Sequence, residues 1–105
     1  MAIRNVRLFD TNPTTVFQAI GQQAITVMYI CNTTNSDAVV DVYCVNSEDS
    51  SAAADSNKIY SQLAVTANDT YVIDLEKIIL NDGDLIEVRS DTTNAITVTV
   101  STIAI

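Results

Sequence analysis

The sequence predicts a single all-β domain, an antiparallel β-sandwich of Greek-key or jelly-roll-like form with about eight strands. Three observations carry this expectation. The apolar fraction of 48% comes largely from Val, Ile and Ala with many Thr beside them, and β-branched side chains suit a pleated, half-buried surface better than a helix. Apolar and polar residues alternate along most of the chain, and clusters of Asn, Asp, Gly and Ser interrupt them at the spacing of sandwich turns. The 105 residues suffice for one hydrophobic core, and no internal repeat or long linker divides them.

The elements follow in order. Residues 2–8 alternate as a first strand, and residues 10–13 break it, because Pro13 cannot donate to a ladder and restricts its predecessor. This divides the chain into an N-terminal arm and linker, 1–13, and a β-sandwich domain, 14–105. A short strand at 14–18 leads through a turn at Gly21 into residues 24–32, where both faces are apolar. Strict alternation turns Ile25, Val27 and Tyr29 inward and leaves Met28 and Ile30 outward. The polar run 33–37 reads as a hairpin loop. After it, residues 38–45 return with Val40, Val42 and Cys44 inward and Val39, Asp41, Tyr43 and Val45 outward, Asp41 marking the solvent side.

The acidic, Ser-rich stretch 46–57 reads as a mobile loop holding at most one helical turn. Strands at 58–66, 70–75, 84–89 and 95–105, with an apolar run at 77–80, complete the chain. Ile73, Ile86, Val88, Ile96, Val98 and Val100 join the expected core, their parity set by charged neighbours such as Glu87 and Arg89.

Composition excludes several kinds of function. Thirteen acids against five bases give a net charge of −8, which repels phosphate backbones and anionic headgroups, so neither nucleic acid nor membrane is an expected partner. No stretch reaches the roughly 18 apolar residues of a membrane span, and Arg4 and Arg7 alternate with apolar residues instead of preceding an apolar run, so the chain reads as soluble and without a leader. Histidine is absent, which removes the usual base near neutral pH and the usual partner of a nucleophilic Ser or Cys. No enzyme activity is expected.

No cofactor or metal is expected either. Cys31 and Cys44 lack the further ligands of a zinc site and read as two small buried hydrophobes with free thiols, in keeping with folding in a reducing cytoplasm. If 33–37 is a hairpin, Cys31 lies opposite Val39 or Val40 and too far from Cys44 to bond. Asp82-Gly83-Asp84 lacks the spaced ligands of a calcium loop and reads as a turn with Gly83 at positive φ. The acids lie in loops or at polar strand positions, which does not suit a glycosidase pair. Tyr43 with Tyr60 is the one aromatic pair to consider as a sugar-stacking platform, against ordinary sheet packing.

The order of the runs TTVFQAIGQQAITVMYICNTTNSDAVVDVYCV, KIYSQLAVTANDTYVIDLEKIILNDGDLIEVRS and NAITVTVSTIAI resembles small β-sandwich virion proteins of tailed bacteriophages. The resemblance covers residues 14–105, through an apolar strand ending in Asn-Thr, the segment Val72-Ile73-Asp74-Leu75, and the turn Asp82-Gly83-Asp84-Leu85-Ile86. It departs at Ala19-Ile20-Gly21, where such sequences commonly carry a proline. It implies a non-enzymatic virion component, a capsid decoration (cement) protein or a neck or tail accessory protein, folded in the host cytoplasm. Its implied partners are other virion proteins and its own copies, with a trimer favoured. The alternative is a receptor- or carbohydrate-binding module of a tail fibre, which calls for clustered exposed aromatics. Apolar side chains on outward positions set the expected subunit or particle interface: Met28 and Ile30, or Val39, Tyr43 and Val45. The N-terminal arm adds Ile3, Arg4, Arg7 and Phe9.

Overall fold

Alternating β-branched segments pair into two layers because each strand has one face to bury. The computed structural model describes residues 2–48, 52–74 and 78–105. Within them lie nine strands: β1 (Ala2–Leu8), β2 (Thr14–Gln18), β3 (Gln23–Asn32), β4 (Ala38–Val45), β5 (Lys58–Val65), β6 (Thr70–Ile73), β7 (Ile78–Leu80), β8 (Leu85–Ser90) and β9 (Ile96–Ala104). A 3-10 turn at Asp55–Asn57 is the one helical element among the described residues. The expected strand ends at Leu75 and Lys77 lie outside the described residues, as does part of the 46–57 loop.

The strands form two antiparallel sheets, one of five strands in the order β1-β9-β3-β6 with β7 also on β3, the other of four in the order β2-β8-β4-β5. β6 and β7 follow one another along the same edge of β3, opposite Met28–Cys31 and Gln23–Ile25. Apart from β4 to β5 and β6 to β7, every connection passes from one sheet to the other, which is the wrapping of a jelly roll. Between the sheets lies one core that includes Leu8, Val16, Met28, Ile30, Val40, Val42, Leu80, Ile86, Val88, Ile96, Val98 and Val100, all at most 1% exposed.

Three expectations are corrected by this arrangement. Residues 33–37 do not close a hairpin, because β3 and β4 belong to different sheets. The crossing is organised by Asn32, which is 1% exposed. Its Nδ2 donates to the carbonyls of Ser36 (2.8 Å) and Val65 (3.0 Å), and its Oδ1 accepts from the Thr34 N–H (3.0 Å) and hydroxyl (2.8 Å). The full bonding capacity of a buried amide is thus used to tie the crossing to the end of β5. Cys31 accordingly sits opposite Thr70 and Thr97, and Cys44 opposite Ile86, in separate sheets. Both thiols are free, for a reason other than the expected hairpin register.

The second correction concerns the parity of β3. Its ladder with β9 shifts between Ile25 and Val27, so one extra residue, Thr26, is accommodated there and the faces exchange beyond it. The Thr26 hydroxyl is held by the carbonyl of Ser101 at 3.0 Å and meets the Ser101 hydroxyl at 3.1 Å. Ile25 points inward as expected, but Met28 and Ile30 are fully buried while Tyr29 is 42% exposed and Val27 half-buried.

The third correction concerns the N-terminal segment. Residues 2–8 are not set apart from the sandwich: β1 pairs with β9 along its whole length, from Ala2 opposite Thr102 to Leu8 opposite Ile96. Leu8 is fully buried in the core. The break at 10–13 turns the chain from one sheet to the other.

Candidate functional site

The two outer faces of the sandwich are the surfaces on which a function without catalysis would act, and the chain treats them differently. On the four-stranded sheet the outward row of β4, Asp41, Tyr43 and Val45, is at most 7% exposed. Its cover is the chain's own: the Ala53 N–H donates to Glu87 Oε1 at 3.1 Å, and Lys58 Nζ stands 5.6 Å from the Tyr43 ring centroid. Tyr43 and Val45, expected at an interface, are therefore internal, and Val39 is half-buried.

Asp41 is the hub of this covered face. β5 carries a bulge opposite it, with Gln62 at φ +54°, and the Gln62 N–H donates to Asp41 Oδ1 at 2.8 Å. Arg89 Nη1 donates to Oδ2 at 3.3 Å, and Lys58 Nζ lies 3.9 Å from Oδ1. With 9% of the Asp41 side chain exposed, these partners take up hydrogen bonds that water would otherwise make. Beside it, Glu87 Oε2 accepts from the Thr15 hydroxyl at 2.8 Å.

Among the described residues nothing covers the outer face of the five-stranded sheet in this way. Its rows run Val72-Tyr29-Thr99-Asn5 and Thr70-Cys31-Thr97-Arg7 across the strands, with Val27, Ser101 and Ile3 next to them and Ile79 and Ile103 flanking Ala24. Ile3 (70%), Ile79 (65%), Tyr29 and Val72 (both 42%) and Ile103 (38%) are exposed. The polar members are satisfied locally, as in the Thr99 hydroxyl donating to Asn5 Oδ1 at 2.8 Å.

Charge separates this face from the rest of the molecule. None of the thirteen acids lies in any of the five strands of this sheet, whose only charged residues are Arg4 and Arg7. Those strands therefore carry +2 and the remainder of the chain −10, against the total of −8. Arg7 is on the outer face, where its Nη2 donates to the Asn94 carbonyl at 2.7 Å. Arg4 has the inward parity of Val6 and Leu8 but is exposed at the edge. Of the expected interface residues, Ile3 and Arg7 thus lie on this face, Arg4 beside it, and Phe9 is 69% exposed just past β1. Tyr29, Val72, Ile79 and Ile103 were missed because the face is defined by pairing across strands distant in sequence.

The acids in the connections serve as local acceptors. Asp37 Oδ1 accepts from the Ala67 N–H at 2.9 Å, Asp91 Oδ1 from Val39 N–H at 2.9 Å, and Asp82 Oδ1 from Gly21 N–H at 2.9 Å. Asp84 accepts from the N–H and hydroxyl of Ser47 and from the Asn81 N–H. These bonds, the one from the Ser47 backbone first, hold its carboxyl below the usual range although partial burial opposes them. Gly83 occupies its turn at φ +89°, where an added Cβ would stand 3.1 Å from Ser47 Oγ. Burial first, and then the charge of Asp84, pushes the Cys44 thiol up, away from reactive thiolate. Among the described residues no three acid or thiol side chains converge as a metal site would need, and no buried side-chain polar atom lacks a partner.

A groove of about 320 Å³ runs beside the edges of β5 and β6, lined by Ile59, Tyr60, Tyr71, Val72, Ile73, Asp74 and Ile78. Tyr60 meets Tyr71 edge to face, ring centroids 6.4 Å apart at 67°. The expected Tyr43–Tyr60 platform is not formed, because Tyr43 is covered. No family model matches the chain, and no curated protein or solved structure gives a significant match.

Proposed function

We propose that this chain is a non-enzymatic structural component of a bacteriophage virion, a capsid decoration protein or a neck or tail accessory protein, that binds the particle surface and its own copies. The observation that carries the docking part of this reading is the uncovered outer face of the five-stranded sheet, apolar in part and free of carboxylates in a chain of −8. A face without acids, apolar in part, desolvates more cheaply against another protein than the acidic remainder, while the acids around it disfavour other approaches. The virion setting is supported by the resemblance of residues 14–105 to small virion sandwiches, and the jelly roll is an architecture that capsid proteins use. Fold alone assigns no function, so the face has to be tested directly.

The groove at Tyr60 and Tyr71 is the observation that favours the second reading, a receptor- or carbohydrate-binding module. Its two rings pack edge to face instead of offering one flat stacking platform, which makes it the weaker case.

The test is cosedimentation of the purified chain with candidate phage shells. Deleting β1 would strip β9 of one of its two neighbours and take Leu8 from the core, so a point change at an exposed position of the face, Tyr29→Glu, is the cleaner comparison. Saturable binding by the unaltered chain and binding weakened about tenfold or more in the variant is the expected result, a difference of about 1.4 kcal/mol. Equal binding by both chains would remove the face from the account.

A further inference from the structure

We infer that the outer face of the five-stranded sheet is covered by the same face of a second copy, in a two-fold dimer whose sheets stack face to face. The inference rests on the reading of that face as a docking surface and names its occupant in free solution, where the second copy and the particle surface compete for the same face. Area is the first argument. Four strand positions about 4.8 Å apart and nine residues at about 3.4 Å give a projected face of about 600 Å² per copy. Two such faces approach the roughly 1,200 Å² at which specific, stable interfaces begin. The relief of Tyr29, Ile79 and Ile103 adds to the accessible area beyond this projection.

Charge is the second argument. Two copies of a chain of −8 repel at every approach that brings loops together, since nine of the eleven described acids lie outside the strands. A two-fold axis through the five-stranded sheets brings together the strands without acids, with Arg7 at the edge, and directs much of the acidic remainder away from the contact. Symmetry is the third. A sheet face admits one stacked sheet about 10 Å away, and the same patch used by both copies closes on a two-fold axis, which makes an isologous pair and not the three-fold assembly that the resemblance implies. Cys31, half-buried on this face, becomes the natural reporter, because stacking closes over it while Cys44 on the other sheet is unaffected.

The experiment is sedimentation equilibrium of the full chain over a wide concentration range, with site-assigned maleimide labelling in parallel. Expected is a concentration-dependent rise to twice the 11.4 kDa chain mass, with Cys31 protected in the dimer and Cys44 labelling unchanged. Thr99→Glu and Thr99→Lys, each alone, should shift the midpoint of association by about tenfold or more, and an equimolar mixture should restore it, because opposite charges then face one another. The restoration excludes misfolding of either variant as the cause. A strictly monomeric chain, a trimer, or a dimer that leaves Cys31 freely labelled would overturn the face-to-face pair. A monomer that still binds shells through this face would overturn the pair alone and leave the docking reading standing.

Discussion

The outer faces of the two sheets present opposite solutions to the same problem, a strand that is apolar on both sides. β4 has Val40 and Val42 inward and Tyr43 and Val45 outward, and the second row is buried under the chain's own residues, with Ala53 bonded to Glu87 beside it and the β5 bulge bonded to Asp41. β3 has the same double-sided appearance, yet the Thr26 bulge turns Met28 and Ile30 inward and leaves Val27, Tyr29 and Cys31 on a face with no cover. Apolar residues on both sides of a strand therefore do not by themselves indicate a partner. What identifies the candidate docking face is that, among the described residues, neither a covering segment nor a carboxylate lies on it.

The sharpest way to break the comparison is in β3. Met28→Ala should destabilise the fold by about 3 kcal/mol, the usual cost of emptying a core site, while Tyr29→Ala should cost within about 1 kcal/mol. Urea denaturation of both variants measures this. Equal losses, or a larger one at Tyr29, would place the bulge elsewhere and restore strict alternation.

The covered face gives the next largest effect. Asp41→Ala leaves the Gln62 N–H without its acceptor and Arg89 and Lys58 without their counter-charge. The expected loss is about 2 kcal/mol, below the range for a fully buried pair because Arg89 is 42% exposed and screened by water. Thr99→Ala on the bare face should change stability by no more than about 0.5 kcal/mol. A neutral Asp41→Ala would show that the β5 bulge and the two bases do not depend on this carboxylate.

The smallest effect is pH-dependent and reports on Asp84, which ties the turn after β7 to Ser47 just past the end of β4. Its folded pKa lies below the ordinary value, so its stabilisation is present above about pH 4 and is lost as pH falls through the folded value. The difference in urea midpoint between the unaltered chain and Asp84→Asn should therefore be full at pH 7 and shrink on acidification below pH 4. A difference that does not change with pH would mean that the amide replaces the carboxylate in every respect that matters.

The linear order of residues determined the class of fold and most strand positions, because alternation, β-branching and turn residues act over a few neighbours. Val40, Val42, Ile86, Val88, Ile96, Val98 and Val100 could be assigned to the core from their charged or polar neighbours alone. The Gly83 turn was equally legible. Tertiary structure decided what lies opposite what: the crossing at Asn32 that separates β3 from β4, the pairing of β1 with β9 across ninety residues of chain, and the cover laid over Tyr43 and Val45. It also decided the parity of β3, since a single residue accommodated at Thr26 exchanges every later side chain between core and surface. A bulge cannot be read from a run such as ITVMYI, whose apolar residues fall on both parities, because either face of that strand would satisfy the hydrophobic effect. Only the register against Ser101 and Thr102 of β9 chooses between them.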